Sequence, residues 1–190
     1  MSKIQDLKIK IFADGADLNS IEALNSQLHI KGFTTNPTLM RKSGIADYKK
    51  FAMEALKIVK KKPISFEVFS DEFDEMKYHA EEISSWGKNV YVKIPITSSK
   101  GEKTFNLVKT LSENGIKCNV TAILTLNQVK EIYEIANSDT DMVISIFAGR
   151  IADTGTDPIP TIRDAISLCK SKKKIEILWA STREVLNVVQ

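Results

Sequence analysis

The chain has 190 residues, 43% hydrophobic and 27% charged, with a formal net charge of +3 and two cysteines. That length and apolar fraction suit one domain spanning residues 1–190 with a sizeable core, and they exclude a disordered chain and an integral membrane protein. The small net charge gives no reason to expect nucleic acid. The opening residues do not read as a signal peptide and two distant cysteines form no disulfide framework, so a cytoplasmic chain is expected.

Short β-branched runs alternate with amphipathic stretches of helical period. Strands are predicted over 8–14, 32–36, 64–69, 89–96, 116–124, 142–150 and 174–181. Between them lie single apolar stripes, as in Tyr48, Phe51, Ala52, Ala55 and Val59, or Phe73, Met76, Ala80 and Ile83. Val129, Ile132, Tyr133 and Ala136 form a third stripe, and Ile162, Ala165, Ile166 and Cys169 a fourth, with a helix start at Asp157-Pro158. The lysines at 60–62 and 170–174 fall at predicted helix ends, where they complement the dipole. This alternation, with a strand about every 27 residues, predicts an α/β fold of the (β/α)8 TIM-barrel type. A doubly wound open sheet is the alternative. No Gly-rich dinucleotide turn follows the first strand, and no phosphate-binding loop of the Walker type is present.

Buried parallel strands should be almost wholly apolar, and these are not. Lys93 alternates with Val90, Val92, Ile94 and Ile96. Asn119 and Thr121 oppose Cys118, Val120, Ala122 and Leu124, and Ser145 and Phe147 oppose Ile144, Ile146 and Ala148. Ser65 and Glu67 share a parity, as do Thr34 and Asn36, and the first strand ends at Asp14. With helices outside, the apolar parity must face outward, so the polar one converges on the axis near the strands' C-terminal ends.

Desolvation disfavours an ammonium, so a lysine in a dry barrel is a candidate amine nucleophile. Attack on a carbonyl gives a Schiff base, an electron sink for cleavage of the adjacent C–C bond. Asp14 and Glu67 are the carboxylates available as acid/base groups. Lys93 and Glu67 could instead form a purely structural buried ion pair. His29 and His79 fall on predicted helices outside the barrel, so no metal site is expected, and no cofactor motif is present. Arg150 closes the sixth strand and Arg183 follows the seventh. Ser181 and Glu184 have capping-box spacing, which predicts a helix start there and a phosphate site with the two arginines.

Phe12-Ala13-Asp14, Gly32-Phe33-Thr34-Thr35-Asn36-Pro37-Thr38, Phe66-Glu67-Val68, Val92-Lys93-Ile94-Pro95, Cys118-Asn119-Val120-Thr121, Ser145-Ile146-Phe147-Ala148-Gly149-Arg150-Ile151 and Ala180-Ser181-Thr182-Arg183 resemble the transaldolase family in order and spacing. The resemblance implies a class I enzyme that moves a dihydroxyacetone unit from a ketose phosphate to an aldose phosphate in the non-oxidative pentose phosphate pathway. It implies Lys93 as the Schiff-base lysine, Asp14 as the acid/base group of C–C cleavage, and Glu67 with Thr121 as the pair handling the catalytic water. Asn36, Asn119 and Ser145, with Thr34 and Phe147 beside them, fall at positions that line the dihydroxyacetone site. Arg150, Ser181 and Arg183 match the phosphate clamp. A homo-oligomer, a ring-like pentamer or decamer, is also implied. The related fructose-6-phosphate aldolase branch carries Gln at the Glu67 position and Tyr at the Phe147 position, so this chain follows the transaldolase branch at both. Cleavage to free dihydroxyacetone, or a non-catalytic barrel that binds sugar phosphates, are the alternatives. Gly15, Ile146 and Trp179 depart from the usual residues beside the site.

Seven strands are accounted for, whereas a closed barrel has eight. The expectation is therefore that the natural chain continues into one more β/α unit. Without it the barrel would be open or completed by a partner.

Overall fold

The computed structural model describes residues 7–189. Its elements in chain order are β1 (Ile11–Asp14), α1 (Leu18–Asn25), β2 (Ile30–Thr34), α2 (Pro37–Lys42), α3 (Tyr48–Ile58), β3 (Ile64–Glu67), α4 (Phe73–Ser85) and β4 (Val90–Pro95). There follow α5 (Phe105–Glu113), β5 (Cys118–Ile123), α6 (Leu126–Ile135), β6 (Met142–Phe147), α7 (Ala148–Asp153), α8 (Ile159–Cys169), β7 (Ile175–Ala180) and α9 (Leu186–Val189).

Short polar side chains start several of these helices. Asp17 and Asp47 accept backbone N–H bonds from Ser20 and Lys50. Asn36 accepts one from Leu39, with Pro37 in the first turn. Thr125 and Gln128 form a reciprocal capping box at α6. The lysine clusters cap neighbouring helices: Lys62 donates to carbonyls of Asn25 and Gln27 after α1, and Lys172 to those of Tyr133 and Ala136 at α6.

The seven strands are parallel and pair in sequence order, β1 to β7. Parallel pairing requires a crossover between each pair, and the helices supply it. Ile64, Phe66, Val92, Ile94, Val120, Ile144 and Ile146 are fully buried under the helix stripes, among them Ala52, Ala55, Met76, Ala80, Val129 and Ile132. The sheet curls until Lys10, just before β1, forms an ion pair with Glu176 on β7. No β1–β7 ladder is formed among the described residues. The result is a TIM-type (β/α) barrel wall that, among the described residues, has seven of the eight strands of such a barrel.

The strands are shorter than the sequence pattern suggests, and four local readings change. The sixth strand ends at Phe147, so Arg150 sits on α7 rather than on a strand. No helix starts at Ser181; α9 begins at Leu186, and the Asn187 side chain accepts from the backbone N–H groups of Arg183 and Glu184. Ala122 has φ +61° and the β5–β6 register shifts there, which turns fully buried Ile123 inward to the core and leaves Leu124 exposed. His29 lies in the turn before β2.

Two glycines are dictated by close approach. A Cβ on Gly32 would lie 2.2 Å from the Phe12 ring, and one on Gly149 would lie 1.8 Å from the Ser181 carbonyl oxygen. The second contact is with backbone, so it can be relieved only by moving α7 away from the end of β7. Gly149→Ala is expected to cost about 1–3 kcal/mol of stability in denaturant unfolding, as overpacking does. An unchanged midpoint would show that α7 does not need this approach.

Candidate active site

The register places the polar side chains in rows across the sheet. Glu67 pairs with Lys93 and Lys93 with Asn119; Asp14 pairs with Thr34 and Thr34 with Ser65; Pro95 pairs with Thr121. Successive residues of a strand point to opposite faces, so each row faces one way. Their neighbours Phe66, Val92, Ile94 and Val120 fill the helix-facing core. The polar rows therefore line the inner face near the strands' C-terminal ends.

Lys93 is only 9% exposed. Its Nζ lies 3.2 Å from Glu67 Oε2 and donates to the Thr35 carbonyl at 3.3 Å. Glu67 is itself largely buried. Burial pushes its carboxyl above the ordinary carboxylate value, Lys93 opposes that rise by charge and hydrogen bonding, and the Asp14 charge adds to it. The backbone carbonyl of Glu67 accepts a bond of 2.9 Å from the Tyr48 hydroxyl. The Tyr48 ring packs edge-on against Phe66, Phe69 and Trp86, so the end of β3 is fixed from outside the barrel.

Two hydrogen-bonded groups flank this pair. Ser145 Oγ donates to Asn119 Oδ1 at 2.7 Å, and Asn119 Nδ2 donates to Ser65 Oγ at 3.0 Å, a chain that crosses from β6 through β5 to β3. All three residues are buried. On the other side Thr34 Oγ1 donates to Asp14 Oδ1 at 2.8 Å, and Asn36 Nδ2 donates to Asp14 Oδ2 at 3.4 Å. The carbonyl oxygen of Asn36 is already taken by the α2 cap. Thr121 is 2% exposed and its hydroxyl has no hydrogen-bond partner among the described residues. Phe147 ends β6 and pairs with Ala180.

Arg150, Ser181 and Arg183 gather where β6 and β7 end. Arg183 donates from Nη1 to Ser181 Oγ at 3.0 Å and pairs through Nε and Nη2 with Asp153, whose Oδ2 lies 3.8 Å from Arg150 Nη1. Ser181 holds φ +61°, a conformation that non-glycine residues adopt rarely and mainly where something constrains them. Trp179 faces away from the polar rows: it pairs with outward-facing Ile146 and lines a cavity of about 600 Å³ at the β1–β7 seam with Ile162 and Ile166. Neither this cavity nor another of about 570 Å³ at the N-terminal mouth contains Lys93 or Glu67. Their space comes from the unpaired sheet edges and the strand entrances.

The structure places every candidate on the inner face of the strands or just past their C-terminal ends, and joins most of them by direct bonds. The sequence pattern gives these positions. It omits two contributors. The Thr35 carbonyl is invisible to a side-chain reading, and Asp153 looks like an ordinary surface acid on a helix.

A TIM-type barrel with a lysine–carboxylate pair and amide–hydroxyl chains on its inner wall defines a class of enzyme-like barrels rather than one activity. Comparison with known proteins is more specific. Residues 11–190 match the family described as Transaldolase/Fructose-6-phosphate aldolase. A protein named "Probable transaldolase" from Thermoanaerobacter sp. (strain X514) is 37% identical over 183 residues, covering 96% of this chain and 80% of that one. One of the same name from Streptococcus agalactiae serotype V is 40% identical over 156 residues, covering 82% and 68%. Another from Nitrosopumilus maritimus (strain SCM1) is 36% identical over 184 residues, covering 96% and 78%. A solved structure of a monomeric dihydrodipicolinate synthase variant superposes with a TM-score of 0.58 at 17% identity, over 89% of this chain and 62% of that one, a likeness of fold. The chain belongs to the transaldolase/fructose-6-phosphate aldolase family.

Because the folded state keeps the Glu67 proton to higher pH than the unfolded chain does, this group favours folding most at low pH. Its contribution falls as pH rises from the ordinary carboxylate value through the raised one. Carboxyl NMR titration is expected to find Glu67 above the ordinary range, and Lys93→Met should move it higher still. A Glu67 titrating at or below the ordinary value would contradict the burial seen here.

Proposed function

We propose that the chain is a class I transaldolase that carries a dihydroxyacetone unit from a ketose phosphate to an aldose phosphate through a Schiff base on Lys93. The observation that carries this reading is the buried Lys93 amine, 3.2 Å from a carboxylate whose own burial favours its protonated form. A buried carboxyl of that kind is suited to take the proton that an attacking ammonium must lose.

In this reading Lys93 Nζ attacks the ketose carbonyl, and Glu67 with Thr121 handles the water lost as the carbinolamine becomes the protonated imine. Asp14 takes the proton from the hydroxyl beyond the breaking bond. The C–C bond cleaves, its electron pair moves to the imine to give the enamine, and the aldose phosphate leaves. A second aldose phosphate accepts the enamine carbon and the steps reverse. Asn119, Ser145, Asn36 and Thr34 hold the hydroxyls of the dihydroxyacetone unit, with Phe147 against it, and Arg150, Ser181 and Arg183 take the phosphate. The bonds of 2.7 and 3.0 Å that already link Ser145, Asn119 and Ser65 support a preset amide rather than a mobile one. The same reading assigns the chain, as one barrel domain, to the non-oxidative pentose phosphate pathway, in the cytoplasm and as a homo-oligomer.

Borohydride reduction with fructose 6-phosphate is expected to label Lys93 covalently in the wild-type chain and to give no label in Lys93→Ala. Turnover should require an added aldose phosphate acceptor. A wild-type chain that stays unlabelled across several ketose phosphates sinks the mechanism. Acceptor-independent release of dihydroxyacetone would instead support simple cleavage, and saturable binding without imine formation would support a non-catalytic barrel.

A further inference from the structure

We propose that Asp153 is a positioning residue for the anion end of the site: it holds one edge of the Arg183 guanidinium so that the other edge meets the substrate phosphate. The proposal rests on the reading of Arg150, Ser181 and Arg183 as the phosphate clamp.

The geometry is specific. Asp153 Oδ1 accepts from Arg183 Nε at 3.1 Å and Oδ2 from Nη2 at 2.5 Å, a side-on bidentate pair. Nη1 donates to Ser181 Oγ at 3.0 Å. A guanidinium has five N–H groups in one plane. The side-on pair uses the Nε hydrogen and one on Nη2, and Ser181 takes one on Nη1. One N–H on each Nη remains to donate to phosphate oxygens. Because the group is planar and rigid, fixing one edge fixes the other. Asp153 Oδ2 also lies 3.8 Å from Arg150 Nη1, so one carboxylate stands between two cations that would otherwise repel each other.

The backbone brings these groups together. Asp153 ends α7, and α7 reaches Ser181 only because Gly149 has no side chain. The left-handed conformation of Ser181 fixes where its hydroxyl starts. The side chains of Arg150, Asp153 and Arg183 are 64%, 46% and 41% exposed. Ion pairs so open to water contribute little to stability. Orientation of Arg183 is what remains for Asp153 to supply.

The test compares borohydride trapping of Lys93 with fructose 6-phosphate and with fructose, both below saturation. Asp153→Asn is expected to lower the preference for the phosphorylated sugar about tenfold, the scale of one charge-assisted hydrogen bond. The loss should appear in apparent affinity rather than in the trapping rate at saturation, and Asp153→Glu should restore part of it. Thermal unfolding of each variant checks that the fold survives, which a merely structural role would not ensure. A preference that is unchanged or raised in Asp153→Asn, while Arg183→Ala abolishes it, overturns the proposal. A rise in particular would mean that Asp153 competes with the anion. If Arg183→Ala keeps the preference, the clamp reading fails and the positioning role falls with it.

Discussion

A lysine inside a barrel wall is costly to bury charged unless it meets a carboxylate, and the parallel register decides whether it does. Glu67 and Lys93 are opposite each other on adjacent strands, and Lys93 is opposite Asn119 on the next. A slip of one residue in β4 would turn Lys93 into the helix layer and bring Val92 or Ile94 to the axis. Those two valine and isoleucine side chains are fully buried under helices, so the slip would expose apolar surface inside and bury a charge outside. The register is thus held by hydrophobic packing on one face and by charge pairing on the other. A buried ion pair is seldom a net source of stability. A pair at 9% exposure beside a second carboxylate therefore fits the amine chemistry proposed above better than a purely structural role.

The flanking polar groups solve the same problem differently. Ser145, Asn119 and Ser65 satisfy one another across three strands, so none has to be solvated. Asp14 lies on β1, an edge strand among the described residues, and accepts from two donors, Thr34 and Asn36. The TTNP run serves several purposes at once: Thr34 bonds Asp14, the Thr35 carbonyl receives Lys93, and Asn36 caps the helix that Pro37 starts. A short motif that fixes a strand end, a helix start and two site groups leaves little room for substitution.

Much of this was legible in the sequence because strand parity is a local signal. Lys93, Asn119, Ser145 and Glu67 each break an apolar alternation, and alternation survives without any knowledge of the fold. What parity could not reveal depends on contacts distant in the chain. Arg150 follows the run Ile146-Phe147-Ala148-Gly149 and so reads as a strand residue, but β6 turns into α7 where Gly149 meets the Ser181 backbone. Ser181 and Glu184 have the spacing of a cap, but a positive φ at Ser181 turns the chain away and the Asn187 side chain takes the backbone donors instead. At Ala122 a single positive φ reverses the parity of the rest of β5, so Leu124 is exposed while Ile123 fills the core. Trp179 looked like a residue beside the site because it precedes Ala180 and Ser181, but it pairs with Ile146 and so lies on the opposite face.

The two charged groupings differ in how strongly water acts on them. Lys93 and Glu67 are nearly enclosed, with side chains 11% and 19% exposed, so their interaction is little weakened by salt. Arg150, Asp153 and Arg183 are open, and any anion they take must compete with counterions. Chemistry that depends on proton position benefits from the first setting, because low dielectric makes small displacements count. In the proposed reading, binding and release of a phosphate benefits from the second, because a clamp buried like Lys93 would hold a phosphate too tightly to let it go. The placement follows from the fold: strand interiors are covered by helices on one side and by one another on the other, whereas residues just past the strand ends are covered by neither.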